Sequence, residues 1–157
     1  MTVRSTESSS VPTSGLDGVA ASSYDHLLAV ARIALGAIFA LSGYLKLTGL
    51  AAFSASLTAR GVPAAWFWGP VGATVEFVGG ILCVLGLFSR YAALLMILFV
   101  VVATIISHLF WTFADPGQFR AQQSQFFKNL SIIGGFVFLF AVGGGKFSLD
   151  ALWRNRG

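Results

Sequence analysis

Six polar side chains sit inside, or at the ends of, otherwise apolar stretches: Arg32, Lys46, Glu76, His108, Lys128 and Asn129. Glu76 is the hardest to accommodate. It stands near the centre of WGPVGATVEFVGGILCVLGLF, residues 68–88, with no other charge in those 21 residues. A helix rises about 1.5 Å per residue, so this stretch crosses the roughly 30 Å of bilayer hydrocarbon. Glu76 then lies about 12 Å below one face, where an unpaired charge costs several kcal/mol. His108 stands near the end of the following apolar run. A buried carboxyl beside an imidazole can share and pass a proton, the chemistry needed to protonate or deprotonate a bound headgroup.

The same count places His108 about 8 Å below that face, and Lys128 and Asn129 about 3–5 Å below it, with Lys46 at the boundary. Lys46, Glu76, His108, Lys128 and Asn129 are therefore expected to gather as a ligand-binding group in one half of a helical bundle. Within it, Glu76 and His108 are the candidates for proton transfer. Arg32 falls in the other half, about 7 Å from the opposite face, and is expected to be a structural polar residue. Simple snorkelling also accounts for Arg32, Lys46 and Lys128, which lie near span ends. Thr104 and Ser107 are expected to bond their own helix backbone. No metal site is expected, because no ligand spacing is present. Cys83 is the single cysteine, which excludes an intramolecular disulfide, and it reads as a small buried hydrophobe.

The elements that must position these groups follow from composition and hydropathy. The chain has 157 residues, 56% hydrophobic and 10% charged, against about 25% charged in soluble domains. Its mean hydropathy is +0.81. This is the composition of an all-α membrane protein with one compact membrane domain. The net charge of +4 comes from cations at segment ends, where they act as anchors and topology signals, so a nucleic-acid partner is not expected. Residues 1–23 are rich in Ser, Thr, Gly and Ala and read as a disordered tail. They lack the basic start and apolar core of a cleavable signal peptide.

The first span covers residues 27–47 and carries Gly36, Ala40 and Gly43 on a small-residue face. Residues 49–67 leave the membrane, with Leu50, Phe53, Ser54 and Leu57 at the spacing of a short amphipathic helix in the interface. Trp66 and Trp68 follow as belt residues. In the second span, 68–88, Gly72, Glu76 and Gly80 are expected on one small-residue stripe facing another helix. Ser89-Arg90 reads as a tight turn, 91–113 as the third span, 114–125 as a loop and 126–144 as the fourth. The membrane domain is thus 24–148, followed by a basic tail, 149–157. Four spans put both termini on one side. Arg4, Arg90, Lys146, Arg154 and Arg156 on that side, against Arg60 and Arg120 in the opposite loops and Lys46 and Lys128 at the helix ends there, give a modest bias that favours cytoplasmic termini.

On these residues the chain resembles the DoxX family of small four-helix membrane proteins, over about residues 27–152. The resemblance rests on RIALGAIFALSGYLKL at 32–47, GVP at 61–63 leading to VEFVGGILCVLGLFSRYAAL at 75–94, His108, and FFKNLSIIGGF followed by GGGKFSLD within 126–150. The family is similar to subunits of quinone-linked oxidoreductases of archaea and to membrane components of mycobacterial oxidative-stress complexes. By position, Arg32, Lys46, Glu76, His108, Lys128 and Asn129 match its polar intramembrane residues. The lone cysteine separates the chain from related thiol-oxidoreductase membrane families.

The resulting expectation is a four-transmembrane-helix bundle of the bacterial inner membrane that serves as an accessory subunit of a redox system. A quinone would be held non-covalently between Glu76 and His108. Its expected partners are membrane lipid, a redox protein subunit and a second copy of the chain. No haem-ligand pair or flavin motif is visible, so the electron-transfer cofactor belongs to the partner. The alternatives are a proton-coupled carrier of small solutes, for which four helices make a narrow pore, and a scaffold for a peripheral enzyme.

Overall fold

The computed structural model describes residues 15–154. Among them the regular elements are helices: α1 (Gly15–Thr48), α2 (Leu50–Ala59), α3 (Ala65–Leu85), α4 (Ser89–Ser107), α5 (Pro116–Val142) and α6 (Leu149–Arg154), with one 3-10 turn at Phe110–Thr112. α1, α3, α4 with the 3-10 turn, and α5 are each long and apolar enough to cross a membrane, and α2 is the short apolar helix between the first two spans.

Several boundaries differ from expectation, each for a local reason. Residues 15–23, expected in the disordered tail, extend α1 by more than two turns. Their Ala and Leu favour helix, and Asp17 sits in the first turn, where a negative charge suits the helix dipole. Residues 1–14 of that tail and 155–157 lie outside the described residues. The segment 116–125 is not loop but the start of α5. Asp115 caps it, its carboxylate accepting from the Gln118 N–H at 2.8 Å, and Pro116 occupies the first helical position. The expected basic tail contains α6, where the Ser148 hydroxyl accepts from the Ala151 N–H at 3.2 Å.

The α3–α4 turn lies at 86–88 rather than at Ser89-Arg90, which already begin α4. Gly86 (φ 65°) ends α3 in the left-handed conformation and returns its N–H to Cys83 O. The Asp150 carboxylate then accepts from the N–H groups of Phe88 and Ser89, at 2.7 and 2.8 Å, and so caps α4 from α6. α4 ends at Ser107, so His108 follows the helix instead of lying within it.

α1 packs chiefly along α3 and α4 along α5. The two pairs meet through α3 and α4, while α1 and α5 scarcely touch, and α2 lies across α3. The α1–α3 contact depends on glycine. A Cβ at Gly36 would meet Gly80 O and Val84 N, and one at Gly80 would meet the backbone of Ala40. Gly43 likewise abuts the backbone of Phe77. Lipid offers no hydrophobic drive for helix pairing, so this close backbone approach is where the pair gains its dispersion energy. Gly72, expected on the same stripe, instead faces open space; the buried stripe is Gly69, Ala73, Glu76, Gly80 and Cys83. On the side towards the termini, Phe39, Cys83, Met96, Phe136 and Leu139 fill the bundle with an apolar core.

Candidate functional site

The glycine contacts set the register that places the polar groups. Gly43 meets α3 at Phe77, next to Glu76, and Lys46 lies one turn beyond Gly43 on the same face of α1. Lys46 Nζ therefore reaches the Glu76 carboxylate, donating to Oε2 at 2.5 Å. The Glu76 side chain is 4% exposed and that of Lys46 32%. The ammonium also lies 5.1 Å from the centroid of the Phe53 ring, on α2. Glu76 is thus paired with a lysine and not, as expected, with His108. Hydropathy placed Lys46 at the bilayer boundary, but a lysine stem is long enough to turn inward as readily as outward.

His108 bonds elsewhere. Its Nδ1 lies 2.7 Å from Gln122 Oε1 on the first turns of α5, in the segment that the sequence reads as loop. The Asp115-Pro116 start was the missed signal, since it puts Gln118, Gln122 and Asn129 at helical spacing on one face. Asn129 Nδ2 donates to Thr104 Oγ1 at 2.8 Å. Thr104 in turn donates to Val100 O, as expected of a helix threonine, at 2.6 Å. Lys128 is exposed, at the rim.

Although the pairing differs, the five residues do share one space. A cavity of about 250 Å³ is lined by Lys46, Glu76, His108, Lys128 and Asn129, with Phe39 and Phe99 among its apolar walls. It lies where α1 and α5 diverge. Against it sits a larger apolar cleft of about 480 Å³ between α3 and α4, lined by residues such as Val71, Gly72, Leu95 and Leu98 and bounded by Phe53 and Leu57 of α2. Lys46, Phe99 and Ala103 belong to both walls, so a polar chamber and an apolar cleft adjoin. Lys46 and Lys128 bring two ammonium groups to the chamber against the one carboxylate of Glu76. That charge balance suits a headgroup rich in hydrogen-bond acceptors and opposes a cation.

Arg32 takes no part in this chamber. One turn beyond Gly36, its guanidinium donates to Cys83 O (2.8 Å) and Val84 O (2.6 Å) at the end of α3, and to Phe147 O (2.8 Å) ahead of α6. It satisfies the Val84 carbonyl that the end of α3 leaves open, adds a second donor to Cys83 O, which Gly86 already bonds, and places positive charge at the negative end of the dipole. These contacts tie the end of α3 to the segment ahead of α6. Cys83 is fully buried in the core.

Comparison with known proteins adds to this geometry. The family model described as DoxX matches residues 27–109. The chain is 32% identical over 124 residues to inner membrane protein YphA of Escherichia coli K12, an alignment covering 79% of this chain and 88% of YphA. It is 34% identical over 127 residues to inner membrane protein YqjF of the same organism, covering 81% and 92%. The uncharacterized membrane protein Rv3486 of Mycobacterium tuberculosis is 32% identical over 102 residues, 61% of each chain. No solved structure matches.

Proposed function

Since the chain belongs to the DoxX family and has the helices of a multi-pass membrane protein, we propose that it is an inner-membrane accessory subunit that holds a quinone for a redox partner. The observation that carries this reading is the polar chamber adjoining the apolar cleft. A quinone has the matching form: a headgroup with two carbonyl acceptors and a long isoprenoid tail. The two spaces, about 250 and 480 Å³, fall together within the roughly 300–1,000 Å³ of small-molecule sites.

When bound, a quinone supplies reversible uptake of two electrons and two protons, and the electrons come from the partner protein. The residues of this chain bind and orient. Lys46 offers an ammonium donor at the junction of the two spaces, and Glu76 holds that ammonium in place from α3. His108, kept in orientation by Gln122, is the residue of the chamber best suited to exchange a proton with a headgroup oxygen. Gln122 also lines a separate polar cleft with Gln118 and Arg60 on the loop side opposite the termini. The His108–Gln122 bond therefore stands between the chamber and water on that side.

The carrier reading fits less well. The chamber ends one helical turn short of Met96 and Phe136, which are fully buried in the apolar core, so its polar lining does not continue towards the termini. The relatives' location and the excess of Lys and Arg near the termini favour an inner-membrane orientation with both termini cytoplasmic. A C-terminal reporter active only in the cytoplasm tests that orientation.

Mass spectrometry of small molecules copurifying with the detergent-solubilised chain tests the main reading. Wild-type protein is expected to carry a quinone, and Glu76→Gln to lose most of it while eluting as a folded species. Absence of quinone from wild type, or its full retention in the variant, would sink the proposal.

A further inference from the structure

The opposite end of the bundle, where the chain termini emerge, carries a second polar cleft that the quinone reading does not use. It has a volume of about 750 Å³, and Arg90, Lys146 and Arg154 line it together with the Gly143–Gly145 segment and Asp150. We propose that this cleft binds the phosphate of an anionic phospholipid.

Charge is the first support. Three exposed cations face the cleft. Its one carboxylate, Asp150, already accepts from the N–H groups of Phe88 and Ser89. Burial alone would raise the Asp150 carboxyl, but the bonds from Ser89 and Phe88, with Arg154 nearby, hold it below its usual range. The carboxylate is therefore committed to the α4 terminus; Arg90 spends one N–H on Ala141 O at 3.3 Å, and with Lys146 and Arg154 it leaves the cleft a net positive charge that a phosphodiester anion would reduce.

Position is the second support, and it selects a lipid over a soluble phosphate. Phe88, Tyr91 and Trp153 are exposed around the cleft, and the rings of Phe88 and Trp153 meet edge to face at 5.9 Å. Exposed aromatics at the end of membrane spans mark headgroup depth. Gly144 and Gly145 pack against Ser89, Ser148 and Leu28, but at Gly143 a side chain would meet only the Arg90 guanidinium, so a phosphate can come close to the backbone beside that cation. Basic pockets between spans on the cytoplasmic side, where the orientation proposed above puts this cleft, recognise anionic headgroups, and each Lys or Arg near such a surface contributes about fivefold in affinity.

The test uses the full chain in neutral detergent. Phosphatidylglycerol, phosphatidylcholine and inorganic phosphate are added separately, with lipid adducts read by native mass spectrometry and stability by the thermal midpoint. Phosphatidylglycerol is expected to form one retained adduct and raise the midpoint, with the other two doing neither. The double variant Arg90→Gln/Lys146→Gln is expected to weaken the adduct at least tenfold. Arg60→Gln/Arg120→Gln, which removes the same charge from the other end, is expected to leave it unchanged. Equal retention of phosphatidylcholine, equal protection by inorganic phosphate, or equal loss in the control variant would each overturn the proposal. If the first double variant does not fold, the comparison of the two lipids with phosphate on wild type still decides. None of these readouts involves quinone, so the two proposals stand or fall separately.

Discussion

Replacing Lys46 by Met leaves the Glu76 carboxylate buried within the span and without its ammonium partner. Removing one member of a fully buried pair costs about 3–5 kcal/mol. The Lys46 side chain is a third exposed, so screening argues for the lower end, about 3 kcal/mol. The reverse change is milder. Glu76→Gln leaves a lysine whose stem can carry its charge outward, at a cost of about 1 kcal/mol. In the double variant neither charge is stranded, and a total near 1–2 kcal/mol is expected, giving a coupling of about 2 kcal/mol. Reversible unfolding in mixed micelles, followed by circular dichroism, measures all three variants. The asymmetry is as informative as the coupling, because it follows from the unequal exposure of the two side chains. Costs that simply add to within about 0.5 kcal/mol, or a larger loss for Glu76→Gln than for Lys46→Met, would refute the pairing as the bond that holds the chamber.

Gly80→Ala pushes a methyl into the backbone of Ala40 and is expected to cost about 1–3 kcal/mol in the same unfolding assay, whereas Gly72→Ala, which meets open space, should sit near wild type. Gly72→Phe goes further: the ring would occupy the apolar cleft, so the variant should fold normally yet copurify with little quinone by mass spectrometry. Asp150→Asn keeps only one of the two oxygens that accept from Phe88 and Ser89, and losing the other bond should cost about 1 kcal/mol near neutral pH. Because the folded carboxyl titrates below its usual range, its contribution is complete above the unfolded value of about 3.9 and is lost as pH falls through the folded value. Thermal midpoints measured from pH 7 down to 3 should therefore fall more steeply for wild type than for Asp150→Asn.

Much of the architecture was legible because hydropathy and length act locally. An apolar run long enough for the bilayer must be helical there, since lipid leaves backbone groups no other partner, and the runs containing Gly36, Glu76, Val100 and Phe136 became α1, α3, α4 and α5. The short helix after Gly49 was readable from Leu50, Phe53 and Leu57. Other boundaries were written in capping chemistry and went unread: Asp115-Pro116 opens α5 ten residues early, and Ser148 opens α6. Residues 15–23 carry weak local signals, helix-favouring Ala and Leu with Asp17 in the first turn, which their two glycines and two serines outweigh in a reading by composition.

The membership of the polar chamber was foreseeable for a similar reason. Residue counts give depth along the bilayer normal, and Lys46, Glu76, His108, Lys128 and Asn129 do line one cavity. Depth does not say which of them touch. Pairing depends on the rotation and axial shift of each helix, and those are set by the contacts of Gly36, Gly43 and Gly80, where backbones approach without side chains between them. That register hands Glu76 to Lys46, sends Arg32 to the carbonyls of Cys83 and Val84, and leaves His108 to Gln122. Hydropathy alone is enough to bury an acid in the membrane; which cation meets it follows from the packing of two helices at their glycines.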